Sequence, residues 1–322
     1  MSSFPIELAE LESRPIRIGS RGSALARWQS EWVADRIRDQ GRPVEIVWIT
    51  TQGDTSNEPI TSSGTQGLFT KEIQRALLDR RVDLAVHSLK DLPTEPVDGL
   101  RLAAVPRRER GGDALVSLRF ADVDGLPDAA VVGTGSPRRR AQLLHWRPDL
   151  VMSELRGNVD TRLRKLDEQA YDAIILAEAG LRRLGLEHRI TCVLPFSRML
   201  PAVGQGALGL EIRADDESTA ASVAFLDDPP TRHAVTAERA LLANLRGGCL
   251  APVGAWAQVE ADQLTLRAAV LSVDGRQRLA ASGSIANSDS NALELGRAVA
   301  EDLLRQGASR LIADSRLGHR SP

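Results

Sequence analysis

The sequence predicts an α/β protein of two lobes, each a mostly parallel sheet covered on both faces, followed by a smaller α+β domain. Three observations carry this reading. Short apolar strands alternate with amphipathic helices through the first 200 residues. Two stretches, Gly111–Gly112 and Pro195–Gly206, have the composition of hinges between such lobes. From about residue 229 the alternation gives way to a helix, a hairpin and a second helix. The implied boundaries are an N-terminal extension over 1–15, a first domain of 16–106 and 207–225, and a second of 111–200. A third domain then spans 229–315, with a tail over 316–322.

Each element has its own signal. Ile16–Ile18 begins an apolar strand, Ser23 is a helix N-cap, and Leu25, Trp28 and Trp32 recur at helical spacing up to a stop at Gly41. Val44–Thr50 alternates as a strand, and the polar stretch 52–67 reads as a mobile loop or lid. A helix over 69–80 carries Phe69, Ile73 and Leu77 on one face. The strand Val82–His87 then ends in SLKDLPT, where Pro93 holds Leu92 extended. Val131–Val132 leads into GTGSPRRR and a helix from Ala141; Val151–Ser153 leads into LRGNVDTRL, and Tyr171–Ala177 is the next strand. In the last domain a helix ends at Ala240–Leu245. Gln263–Leu279 makes a hairpin turning at Asp274-Gly275, and Asn291–Gln306 is a helix stopped at Gly307.

Composition narrows the function. The chain has 322 residues, 42% hydrophobic and 26% charged, with a formal charge of −2, so nothing in its balance attracts nucleic acid or anionic membrane. The start, MSSFPIELAELESRPIR, lacks the basic and apolar regions of a secretory signal, and no apolar run approaches the ~20 residues of a bilayer span. Two cysteines make no disulfide framework, and five scattered histidines without HxxxH or CxxC spacing argue against a metal site. The expectation is a soluble, cytoplasmic chain with free thiols. Of its 41 cations only Lys71, Lys90 and Lys165 are lysines.

Ligands of open α/β sheets bind beyond the carboxyl ends of the strands. There the chain places Arg21 and Ser23, Lys90 and Asp91, Ser136 with Arg138 and Arg139, and Arg156 with Arg162. Small hydroxyls, bare glycine amides, helix N-termini and guanidinium forks all suit anions, and carboxylates in particular. His87 reads as a hydrogen-bonded strand-end residue. Cys249, in NLRGGCLAPVG, follows two glycines that leave the backbone bare, with Arg246 close by to favour a thiolate. Cys192 lies in an apolar run and reads as a small hydrophobe. The residues alone leave Cys249 open as a buried hydrophobe, a nucleophile or an attachment point.

VHSLKD (86–91), GLFTKE (67–72), Arg156–Asn158 with Thr161–Leu163, LPAVGQGA (200–207) and GGC (247–249) resemble, in order and spacing, the porphobilinogen deaminase (hydroxymethylbilane synthase) family. The resemblance covers about residues 16–315. It implies two lobes like type II periplasmic solute-binding proteins, plus a third domain whose cysteine, here Cys249, carries a dipyrromethane cofactor through a thioether. It implies a monomeric transferase of tetrapyrrole biosynthesis. Four porphobilinogens would be joined to the cofactor with loss of ammonia, and the linear tetrapyrrole released by hydrolysis. Asp91 matches the catalytic aspartate. By the same resemblance Lys90, Ser136, Arg138 and Arg139, with Asp91, hold the cofactor, and Arg21, Ser23, Arg156, Arg162, Arg183 and Arg189 bind substrate carboxylates.

The chain departs from that pattern at Gln66 and Gln52, where basic residues are usual, and at Pro137, whose fixed φ suits the first position of a helix. Two other classes fit parts of the sequence. A two-lobed solute sensor would leave GGC without a use. A nucleotide-dependent transferase would need a P-loop lysine and acidic metal ligands near the glycines, which are missing.

Overall fold

The computed structural model describes residues 14–51, 70–247 and 251–317, and its strands form three sheets. Cys249, the stretch 52–67 with Gln52 and Gln66, and most of the N-terminal extension lie outside the described residues.

The first sheet uses β1 (Ile16–Ser20), β2 (Val44–Trp48), β3 (Leu84–Ser88), β4 (Leu100–Ala104) and β10 (Leu208–Arg213), in the order β2-β1-β3-β10-β4. The second uses β5 (Asp113–Val116), β6 (Val131–Gly133), β7 (Val151–Ser153), β8 (Ala173–Ala177) and β9 (Cys192–Val193), in the order β7-β6-β8-β5-β9. Neither sheet is purely parallel. β10 runs antiparallel to both β3 and β4, and β5 runs antiparallel to both β8 and β9. The reversed strand in each sheet is the one that enters it from the other. A chain crossing over short segments arrives from the opposite end and must pair head to tail.

Helices are set where the caps put them. α1 (Ala24–Arg38) starts at Ser23, whose hydroxyl accepts from the Ala26 amide. It buries Val33, Ala34 and Ile37 against the first sheet, worth roughly 1.5–3 kcal/mol for each large side chain. The Leu25–Trp28 side of the same helix faces elsewhere, and Trp28 is 36% exposed. α2 (Lys71–Leu78) keeps Ile73 and Leu77 inward, shorter than the expected 69–80. α3 (Pro137–Trp146) begins four residues before Ala141, because Ser136 caps the Arg139 amide and Pro137 takes the first turn, where no amide donor is needed. α4 (Val159–Asp167) is capped by Asn158, and α5 (Glu178–Arg183) follows β8 directly.

After α6 (Glu217–Val223), the third sheet is an antiparallel meander of β11 (Val253–Glu260), β12 (Gln263–Leu271) and β13 (Arg278–Ala286). It packs with α7 (Pro229–Asn244), α8 (Asp289–Arg305) and α9 (Ala308–Leu317) around Leu241, Leu266, Val299 and Leu303. α7 and α8 approach closely at Gly296, where a Cβ would stand 2.4 Å from the Ala237 carbonyl oxygen. The expected hairpin is β12–β13, turning at Asp274-Gly275 with Gly275 at φ +74°. β11 and α9 have no counterpart in the sequence reading.

The segment 200–207 is where the three sheets meet. Leu200 O accepts from Arg138 below the second sheet, and Pro201 O accepts from Ala255 of β11. Ala207 O accepts from Leu89 beside the first sheet. Gly206 sits at φ +87° with its Cβ position 2.5 Å from Glu109 O, so only glycine fits. Glu238 of α7 lies beneath this seam, fully buried. It accepts from Gly204 N (2.7 Å), Ala257 N (2.9 Å) and both terminal nitrogens of Arg108 (2.7 and 3.1 Å). Arg108 completes the set by donating to Gln205 O and lying 4.1 Å from the Trp256 ring centre. A buried charge is tolerable when it is satisfied in this way.

Candidate active site

β3 is buried over its first four residues and ends in one 3-10 turn, Leu89–Asp91. Leu89 and Leu92 are buried on either side, so the half-buried Lys90 and Asp91 are the residues the turn presents. From α7, Arg239 donates to Leu92 O (3.0 Å) and Pro93 O (2.7 Å), fixing the backbone just past Asp91. Gln29 and Ser88 are hydrogen-bonded at 2.8 Å behind it. His87 is buried with Nε2 3.0 Å from Glu211, which also accepts from Gln74, so it is a satisfied strand-end histidine as expected.

Across from this turn, Arg138 and Arg139 enter from the first turn of α3, and both are buried on Asp113. Arg138 Nη1 donates to Asp113 Oδ2 at 2.6 Å, Arg139 Nε to Oδ1 at 2.9 Å, and Gln205 to Oδ1 at 3.0 Å. Burial alone would raise the Asp113 carboxyl, but the two guanidinium groups outweigh it and hold it well below the usual range. Two cations on one carboxylate leave a net positive corner, and Arg138 Nε is buried without a partner. Sequence reasoning missed Asp113. Its one signal is a lone acid opening the apolar strand DALV straight after Gly111-Gly112.

The remaining expected residues divide. Burial pulls Lys90 down to about 8, opposed by Asp91, with Arg139 and Arg138 adding to the fall. Arg162 is lowered to about 10 by burial and then by Arg139, while Asp91 and Glu154 favour its charge. Lys90, Asp91, Arg138, Arg139 and Arg162 are therefore within electrostatic reach of one another. Arg162 Nε is held by Gly157 O at 2.8 Å, and Arg156 Nε by Glu154 at 2.8 Å. Arg21 follows β1, next to β3 in the sheet, while Ser23 and Ser136 are the helix caps described above. Arg183 is buried at the seam, donating to Gly206 O at 2.7 Å, with burial lowering it to about 10. Arg189 stands apart, ion-paired with Asp167 at 2.6 Å.

The cluster sums to five cations (Lys90, Arg138, Arg139, Arg156, Arg162) against three acids (Asp91, Asp113, Glu154). Among the described residues no side chain hydrogen-bonds to Asp91, and no group of three His, Cys, Asp or Glu is placed to hold a metal. Desolvated cations in excess of their counter-ions call for a ligand carrying several carboxylates.

The dipyrromethane cofactor-binding domain model of porphobilinogen deaminase matches residues 16–221, and that enzyme's C-terminal domain model matches 233–305. The chain belongs to the porphobilinogen deaminase family. It is 48% identical over 300 residues to the porphobilinogen deaminase of Syntrophus aciditrophicus, covering 92% of this chain and 97% of that one. With that of Acidithiobacillus ferrooxidans the figure is 50% over 304 residues, covering 94% and 98%. Among solved structures the methionine-binding protein MetQ is 14% identical with a TM-score of 0.44, covering 66% of this chain and 89% of that one. The donor set fits the family's cofactor. A dipyrromethane with an acetate and a propionate on each ring brings four carboxylates, and the corner holds an unmatched positive charge and an unpartnered Arg138 Nε.

Proposed function

We propose that the chain is a hydroxymethylbilane synthase of tetrapyrrole biosynthesis, with Asp91 as its catalytic group and Cys249 as the thioether attachment point of its dipyrromethane. When bound, that group supplies the free pyrrole α-carbon to which the first porphobilinogen is joined. Arg138, Arg139, Ser136 and Lys90 would hold its carboxylates. Arg21, Ser23, Arg156, Arg162, Arg183 and Arg189 would bind those of the incoming substrate, although Arg189 must first leave Asp167. The observation that carries the reading is the position of Asp91, a carboxylate with no hydrogen bond from any described side chain, surrounded by desolvated cations.

In each addition a C–N bond of porphobilinogen breaks and ammonia leaves, a C–C bond forms, and one α-proton is lost. A protonated Asp91 hands its proton to the departing nitrogen. Its carboxylate then lies against the cation left on the substrate, and finally takes the α-proton, which restores the acid for the next round. Release would follow when water adds to the methylene of the first-added ring as the C–C bond from that methylene to the dipyrromethane breaks, a proton returning to the pyrrole carbon left on the protein. We further propose a cytoplasmic monomer, its three sheets being three domains with the boundaries given above. Among the described residues no helix is long and apolar enough to cross a membrane.

The deciding experiment is an intact mass of the purified protein with a colour test for linked pyrroles. The expected mass exceeds the sequence by one dipyrromethane, and Cys249→Ser removes the excess. An unmodified protein from a porphyrin-competent host, or modification at Cys192, overturns the assignment.

A further inference from the structure

No described side chain hydrogen-bonds to Asp91, so the place of its carboxylate is set by the backbone on either side of it. The two sides are held by different parts of the molecule. Before Asp91, the Leu89 amide donates to Ala207 O at 3.0 Å, and the Leu89 side chain fills space that two glycines leave open. A Cβ at Gly209 would stand 2.8 Å from Leu89 Cδ1, and one at Gly204 would stand 3.2 Å from Leu89 Cγ. The first sheet and the segment 200–207 seat this side.

After Asp91 the chain is extended at Leu92 (φ −83°, ψ 122°) and runs into Pro93, outside any strand. Carbonyls there have no ladder to join and need another donor. Arg239 supplies it, with one terminal nitrogen on Leu92 O at 3.0 Å and the other on Pro93 O at 2.7 Å. Val235, one turn earlier on the same face of α7, is buried in one cluster with Leu89 and Leu92. A different face of α7, with Ala234, Ala237 and Leu241, is packed into the core of the third sheet. One helix thus touches the turn of Asp91 on one side and the third sheet on another.

We infer that Arg239 is a positioning residue for the reaction: by fixing Leu92 and Pro93 it sets where the Asp91 carboxylate stands against the substrate. The inference rests on the role proposed above for Asp91. Its physical basis is the guanidinium fork, whose two donors fix a direction as well as a distance. A lysine ammonium keeps the charge but not the fork. An acid that gives a proton to one atom and later takes one from another tolerates little misplacement, and a shift of ~1 Å can cost about 10² in rate. Because α7 is packed on the third sheet, that sheet shares in placing an acid carried by the first.

The test is made on the holoenzyme with porphobilinogen, counting turnover per dipyrromethane-loaded molecule by intact mass. Arg239→Met should lower kcat by about 10² with KM unchanged, and Arg239→Lys should lower it by about tenfold. A residue that acts through Asp91 has nothing left to do once that acid is gone. Adding Arg239→Met or Arg239→Lys to Asp91→Asn should therefore change the residual turnover by less than about twofold. If the methionine variant does not fold, the lysine cycle decides alone. Wild-type kcat in the single variants overturns the inference. So does a loss in the double variants as large as in the singles, the mark of a residue that only supports the fold. A wild-type protein with no dipyrromethane mass and no uptake of porphobilinogen overturns the reaction itself, so the two failures are told apart.

Discussion

Two corners of the same cleft use buried cations in opposite ways. At the start of α3, Arg138 and Arg139 are locked onto Asp113, with backbone carbonyls and Gln205 completing the set. At the end of β3, Lys90 and Arg162 are desolvated and share the field of a single half-buried acid, Asp91, to which no described side chain hydrogen-bonds. The first corner is preorganised, so a bound carboxylate meets donors that need not move. The second keeps Lys90 and Arg162, whose charge burial disfavours. A site that anchors one molecule permanently while repeating proton transfers beside it needs both.

The sharpest way to break this contrast is to remove one acid from each corner. Asp113→Asn should leave two buried guanidinium groups without a counter-charge and lower stability by about 3–5 kcal/mol, with loss of cofactor assembly. Asp91→Asn should leave stability within about 0.5 kcal/mol, as for a change that breaks no buried pair. It should nonetheless cut turnover by about 10²–10³ or more. Denaturant unfolding, intact mass and porphobilinogen consumption on both variants decide it. A destabilised Asp91→Asn with normal turnover, or a stable and active Asp113→Asn, would reverse the roles assigned to the corners.

A smaller difference is expected between arginines. Arg139→Leu removes a buried donor of the locked corner, so cofactor loading should fail. Arg156 pairs with the exposed Glu154, and such a pair is worth about 0–1 kcal/mol. Arg156→Leu should therefore load its dipyrromethane, keep its stability and elongate about tenfold more slowly, the loss of one charged hydrogen bond. Partly extended complexes should then accumulate by mass. Normal loading in Arg139→Leu would detach the locked corner from the cofactor.

How much of this was legible in the sequence follows the range of the interactions. The caps Ser23, Ser136 and Asn158 and the stop at Gly307 act within a few residues, and their signals are local. Even so, the helix expected from Ala141 begins at Pro137, the residue whose fixed φ suits a first helical position, with Ser136 as its cap. The reversed strands β5 and β10 are set by pairing across some 60 to 120 residues, and a short apolar run does not state its direction. The cations at the strand ends were visible as types in place. Asp113, the counter-ion of Arg138 and Arg139, was not, and neither was Glu238 under Arg108, since a lone acid has no periodicity. Family resemblance singled out Cys249, and its surroundings lie outside the described residues.

The finest separation of the two corners comes from pH. Lys90 titrates near 10.5 in the unfolded chain and at about 8 in the cleft, because burial disfavours its charge. Between those values the unfolded chain holds a proton that the folded one has lost, so this group makes stability rise with pH across the window. Its cost is fully present below pH 8 and has gone by about pH 10.5. In the cofactor-free Cys249→Ser background, adding Lys90→Met should therefore stabilise the fold at pH 7 and do nothing at pH 10.5. The Asp113 corner titrates far below this range and contributes the same at both values. A carboxylate ligand restores the charge on Lys90, so the holoenzyme should lose this dependence. Guanidinium unfolding at the two pH values, with and without the extra substitution, measures it. An equal effect of Lys90→Met at both would mean that Lys90 is not desolvated, and the contrast between the corners would then rest on Asp91 alone.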